Sequence, residues 1–196
     1  MTTADVGKAA LAVAFLALAA CGGEKRSAAE QAELDTALIA AAWKNDVVEA
    51  RRLIDAGANV NAKDDSVQSA YLVTTSEGYL ELLELTLEHG ADVSSLDSFN
   101  GTGLIRAADR GHVEIVRRLL ETDTDVDHVN NLGWTALLEA IILGDGGPRH
   151  TEVVRLLVGA GADVNLADGD DITPLAHARD RGHEEIVAIL EAAGAR

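Results

Sequence analysis

The sequence predicts an all-α repeat solenoid, five stacked helix-turn-helix units joined by short β-hairpin or loop connections, and three observations carry that expectation. The tripeptides Thr36-Ala-Leu, Ser69-Ala-Tyr, Thr102-Gly-Leu and Thr135-Ala-Leu recur every 33 residues, and Thr173-Pro-Leu follows after 38. Self-similarity at this period marks units too small to bury an apolar face alone, so neighbours stack and share a core. Hydrophobic residues make up 47% of the chain while aromatics supply only 3%, so small and aliphatic side chains must do the packing, as they do between closely stacked short helices. Finally, each Thr or Ser is followed nine residues later by Gly-His or a substitute, and then by a second apolar-periodic segment.

The first element is an apolar run of 12 residues, Ala9 to Ala20, ending in Leu18-Ala19-Ala20-Cys21. It is too short to span a bilayer as a helix and suits the core of a signal peptide. The closing tetrapeptide resembles the bacterial lipoprotein box. That resemblance implies removal of residues 1–20, lipid attachment at Cys21 and, with Gly22 in place of Asp, sorting to the outer membrane. A plain cleaved signal and a buried apolar helix are the competing readings of the run. Cys21 is the single cysteine, which excludes an intrachain disulfide and a Cys-based zinc site. Residues 21–34 then read as a short tether and the start of a capping helix. Six extended residues from Cys21 to Arg26 reach about 20 Å at most. Ser27 and Glu30 have capping-box spacing.

Residues 35–196 hold the repeats, with units starting near 36, 69, 102, 135 and 173. Thr or Ser is placed to cap each first helix. In the second helix of the third unit Ile115, Val116, Leu119 and Leu120 share one broad face. Second helices are expected to stop at Gly57, Gly90, Gly161 and Gly194, where glycine supplies a left-handed residue cheaply, with Asp123 as the exception. Gly-Ala-Asp-Val-Asn or a relative runs on from the stops at Gly57, Gly90, Asp123 and Gly161. Two irregularities stand out. Val67 occupies a turn position where glycine is expected, and residues 145–149 are an insertion in the fourth unit. The insertion is either a tolerated lengthening of a turn or a contact loop.

Start motif, Gly-His turn and Gly-Ala-Asp-Val-Asn segment together resemble the ankyrin repeat. That resemblance implies paired helices with projecting fingers, stacked so that fingers and first helices line a concave face that binds other proteins. Departures are local. Proline occurs in the start motif only at Pro174, and Ile39, Leu72, Ile105, Leu138 and Ala176 stand where the family carries histidine.

Composition limits the partners. A formal charge of −17 disfavours nucleic acid, whose binding needs clustered Lys and Arg. His112, His150 and His183 share one repeat position, so stacking holds them about 8–10 Å apart, too far for one metal ion. Asp123-Thr-Asp125-Val-Asp127 opens like a calcium loop, but His128 and Trp134 replace its glycine and bidentate Glu. No nucleophile elbow, zinc-protease motif or dinucleotide fingerprint is present, so neither an enzyme nor a cofactor is expected.

The expected activity is therefore protein binding by a monomer in the bacterial envelope, facing the periplasm and touching membrane only through lipid at Cys21. Candidate contact residues are those whose identity the repeat does not require: Trp43, Gln68, Arg106, Trp134, Glu139, Ile142, Leu143, Ile172 and His177. For Trp134, packing on a neighbouring finger is the competing role. The alternative from another class is a periplasmic protein that binds a small ligand or divalent cation under stress.

Overall fold

The computed structural model describes residues 26–196; Cys21 and the apolar run before it lie outside the described residues. Ten helices follow one another: α1 (Ala28–Trp43), α2 (Val47–Asp55), α3 (Ala70–Glu77), α4 (Leu80–Glu88), α5 (Gly103–Asp109), α6 (Val113–Leu119), α7 (Ala136–Ile142), α8 (Pro148–Gly159), α9 (Pro174–Asp180) and α10 (Glu184–Ala192). Odd-numbered helices pack against one another in one row and even-numbered helices in a second, with each odd helix paired to the even one after it. The core lies between the rows. It is built from aliphatic residues such as Leu104, Leu137, Val153 and Leu157, all essentially inaccessible to solvent.

The repeated Ser and Thr cap their helices. Their hydroxyls accept the amides of Leu72, Ile105, Leu138 and Ala176 at 3.2, 3.3, 3.2 and 3.2 Å, which satisfies one amide that a helix start otherwise leaves without a partner. Thr36 is the exception, because α1 runs through it. Here Ser27 is the cap, forming the reciprocal pair with Glu30 that the spacing predicts. Among the described residues no finger comes before this helix, and it begins about two turns ahead of Thr36.

Among the described residues there are no strands, and the β-hairpin connections expected from the sequence are turns instead. The reason is visible in the bonding. Asp64, Asp97, Asn130 and Asp168 occupy one position in successive units, and each accepts the backbone amides two and four residues ahead through its side chain: Ser66 and Gln68, Phe99 and Gly101, Leu132 and Trp134, Asp170 and Ile172. The side chain thus takes amides that a strand ladder would have used. The residue before the last of these amides is left-handed: Val67, Asn100, Gly133 and Asp171 all have positive φ. For β-branched Val67, at φ 63°, that conformation is strained. The helix that follows is nonetheless well packed, since α3 buries every residue from Ala70 to Ser76.

Helix ends follow the glycines with one informative break. Gly57, Gly90, Gly161 and Gly194 all have positive φ. Asp123 does not replace them in that role; α6 stops at Leu119, and the Thr122 hydroxyl donates to the Leu119 carbonyl at 2.6 Å.

The histidines lock unit to unit. His112 Nε2 donates to the Ser76 carbonyl at 3.0 Å, and His150 Nε2 lies 3.0 Å from the Asp109 carbonyl. Each therefore serves a carbonyl at the end of the previous first helix. At the next step Arg181 Nε takes that place, donating to the Ile142 carbonyl at 3.2 Å. The change coincides with the insertion, which is an ordered part of the stack. Asp145 accepts the Gly147 amide at 2.9 Å and faces His150 Nδ1 at 2.8 Å, while Pro148 opens an α8 that is 12 residues long. Gly146 is pressed against His183, such that a Cβ there would sit 2.5 Å from the ring.

Two of the three aspartates of the calcium-like segment are likewise engaged with backbone. Asp125 accepts the Asp127 amide at 3.1 Å, and Asp127 accepts the Asp163 amide at 3.0 Å.

Candidate functional site: a groove between two fingers

Two fingers and two first helices enclose a cavity of about 150 Å³. Its walls are the finger tips Phe99 and Leu132 together with Leu143 at the end of α7, and these three are 56%, 51% and 52% exposed. Exposed apolar side chains occur singly elsewhere, as at Val48 and Trp43, but here three line one cavity. Ile105 of α5 forms part of the floor, and Asp97, Arg106, Asp109, Asn130 and Glu139 supply its polar groups.

The floor is wired by a rule that recurs in the stack. In three of the four finger turns the acceptor residue meets the side chain nine positions later, on the next first helix; after Asp64 that position is the buried Val73. Asp97 meets Arg106, with 3.4 Å between Oδ2 and the guanidinium. Asn130 donates from Nδ2 to Glu139 Oε1 at 2.7 Å. His177 Nε2 lies 2.7 Å from Asp168 Oδ2. The chemistry matches pair by pair: where the helix carries an acceptor, Glu139, the turn carries the one residue of the series with a side-chain donor.

Glu139 is only 5% exposed. Burial, with the negative charges of Asp109 and Asp97 adding to it, pushes its carboxyl up to about 7, against the pull of the Asn130 amide and of Arg106. Of its two oxygens, Oε1 has the Asn130 bond and Oε2 has none among the described residues. Arg106 is committed to Asp97, and neither Asp109 nor Glu139 has an ion pair of its own among the described residues.

Of the residues predicted from sequence, the groove brings together Arg106, Glu139 and Leu143. It does not gather the others. Trp43 is 46% exposed at the end of α1, well along the stack, and Ile172 is 40% exposed on the last finger. Gln68 and Trp134 are half-buried, each closing its own turn with a carbonyl that accepts the amide of Asp64 and Asn130 respectively. Ile142 is half-buried with its carbonyl taken by Arg181, and His177 is held by Asp168. Sequence reasoning missed Phe99 and Leu132. A signal was present: they occupy the tip position two residues after the turn acceptor, where the other fingers carry Ser66 and Asp170.

Among the described residues no group of three His, Cys, Asp or Glu side chains converges as metal ligands do, and no helix is long and apolar enough to cross a membrane.

Comparison with known proteins agrees with this architecture. A family model describing ankyrin repeats in three copies matches residues 69–168, and a single ankyrin repeat matches residues 33–65. A crystal structure of an ankyrin repeat domain from Acinetobacter baumannii is similar, with 55% identity, 81% of each chain covered and a TM-score of 0.79. The ankyrin repeat protein YahD of Escherichia coli (strain K12) is 51% identical over 57 residues, a stretch spanning 29% of this chain and only 28% of that relative. With caps, fingers, helix pairs and family matches in agreement over most of its length, the chain belongs to the ankyrin repeat family.

Proposed function

We propose that the protein is a five-unit, monomeric, non-enzymatic binding module that holds a protein partner in the groove between the Phe99 and Leu132 fingers. Ankyrin repeats are scaffolds for protein interaction and generally not enzymes. The observation that carries the reading is the trio Phe99, Leu132 and Leu143, three large apolar side chains left half-exposed around one cavity at positions the fold does not need them. Exposed apolar clusters of this kind mark contact surfaces, and a few such anchors dominate interface energy.

Leu132→Asp with Leu143→Asp is expected to lower affinity for the captured partner by about tenfold or more, with melting temperature nearly unchanged because both side chains face solvent. The check is affinity capture from cell-envelope extract by wild type and variant side by side. An identical captured set would reject the groove.

The same proposal places the protein on the periplasmic side of the bacterial envelope, held by lipid at Cys21. What supports this is the apolar run of residues 9–20 followed at once by the single cysteine. Labelled palmitate should be incorporated into the wild-type chain and not into Cys21→Ser; incorporation that persists in the variant would overturn the anchor.

A further inference from the structure

We propose that the groove is a receptor for one long basic side chain, Arg or Lys, on an extended segment of the partner, with its alkyl stem against Phe99, Leu132 and Leu143 and its cationic head at Asp109 and Glu139. The inference rests on the protein-binding reading above and adds the chemistry of the residue recognised.

Size comes first. At about 150 Å³ the cavity is smaller than sites for drug-sized ligands, which run to roughly 300–1,000 Å³, but it accommodates a single side chain. Charge comes next. Three carboxylates face the cavity against one guanidinium, and Arg106 is paired with Asp97 at 3.4 Å. Asp109 has no ion pair among the described residues, and Glu139, which ionises only near 7 in the empty groove, would ionise more readily beside a cation. An acidic guest would be repelled. A purely apolar guest would seal the Glu139 carboxyl away from water with Oε2 still unbonded, which is costly. A cation satisfies both carboxylates, and a guanidinium can do so with two donors in fixed geometry.

The walls separate a basic side chain from a bare metal ion. A metal would gain nothing from three apolar neighbours, whereas the stems of Lys and Arg pack on apolar surface while the head keeps polar company. The Phe99 ring adds a face on which a cation is attracted. Net charge works over a longer range, since at −17 the surface draws a basic segment toward it before contact.

The test uses pools of nonapeptides with one residue fixed at the centre and all others randomised, including a pool with citrulline, the neutral isostere of Arg. The full-length protein is expected to retain the Arg and Lys pools about tenfold better than the Ala and citrulline pools. That preference should vanish in Asp109→Asn with Glu139→Gln, a change that keeps the oxygen accepting from Asn130. Equal retention of Arg and citrulline pools, or unchanged retention of basic pools by the double variant, would overturn the proposal. The Leu132→Asp, Leu143→Asp protein separates the two levels. If apolar pools bind wild type and are lost there, the groove stands and only its basic specificity fails. If no pool responds to either variant, the groove reading itself fails.

Discussion

Replacing Gly103 with alanine is expected to lower stability by about 2 kcal/mol, although alanine is the better helix former by up to ~1 kcal/mol. Gly103 is the first residue of α5 and stands where other units carry Ala37, Ala70 and Ala136. A Cβ there would lie 2.6 Å from the Tyr71 hydroxyl oxygen and 2.9 Å from Thr75 Cγ2. Tyr71 cannot step aside, because it is wholly buried among the first helices. Burial pushes its phenol well above the usual tyrosine range, so it stays neutral, with the hydroxyl reaching toward the Val93 carbonyl at 3.5 Å. The missing methyl of Gly103 is thus the space occupied by the hydroxyl end of Tyr71.

The two departures from the repeat compensate each other, and a double-mutant cycle exposes it. Tyr71→Leu restores the side chain found in the other units but leaves a void against Gly103, costing roughly 2–4 kcal/mol. Tyr71→Leu with Gly103→Ala restores both and should recover more than about 1 kcal/mol relative to the sum of the single losses. Thermal melts report this directly, with each kcal/mol corresponding to about 2–4 °C in a chain of this size. Additive losses would sink the explanation.

The second large effect is a pH dependence written into the groove. The Glu139 carboxyl is raised to about 7 in the folded chain, so between the ordinary glutamate value and 7 the folded state holds a proton that the unfolded state has released. Stability contributed by this residue is therefore full below the unfolded value and falls as pH rises through 7. The loss is on the order of 2–3 kcal/mol. His112 and His183, both held low by burial, act in the opposite sense, because the unfolded chain takes up their protons first as pH falls. Asp92, held low chiefly by its hydrogen bond from the Ser94 hydroxyl, loses its contribution only in more acidic solution.

Glu139→Gln isolates the wanted term, since glutamine mimics the protonated acid and keeps the oxygen that accepts from Asn130. The difference in unfolding free energy between variant and wild type is expected to be near zero at pH 5 and to favour the variant at pH 8.5. Denaturant titrations at the two pH values measure it, and a difference that does not change with pH would exclude a raised Glu139.

Much of the architecture is legible in the chain because its causes are short-ranged. The cap at Ser69 or Thr102 needs only the amide three residues ahead, and the left-handed Gly57 or Gly161 needs only its own missing side chain. Period and fold class follow from repeating such local units. The turns at Asp64, Asp97, Asn130 and Asp168 are equally local, and the expectation of β-hairpins there failed because those side chains take the amides a strand pair would require. The histidines were legible as frame positions, but not the carbonyls they serve, which lie 36 and 41 residues away in sequence.

The site divides along the same line. Arg106, Glu139 and Leu143 could be singled out because they fill positions the repeat leaves open. Phe99 and Leu132 could not be joined to them, since tips 33 residues apart become neighbours only when the units stack. By itself the sequence determined that helices would pair and stack, in which order, and where most of them begin and end, because those choices are made within about ten residues by caps, glycines and apolar period. Only the tertiary structure decided that Tyr71 fills the space beside Gly103, that Arg181 replaces a histidine after the insertion, and that three apolar side chains surround a buried carboxylate. Those contacts exist between units, where distance in space is set by stacking and no longer by distance along the chain.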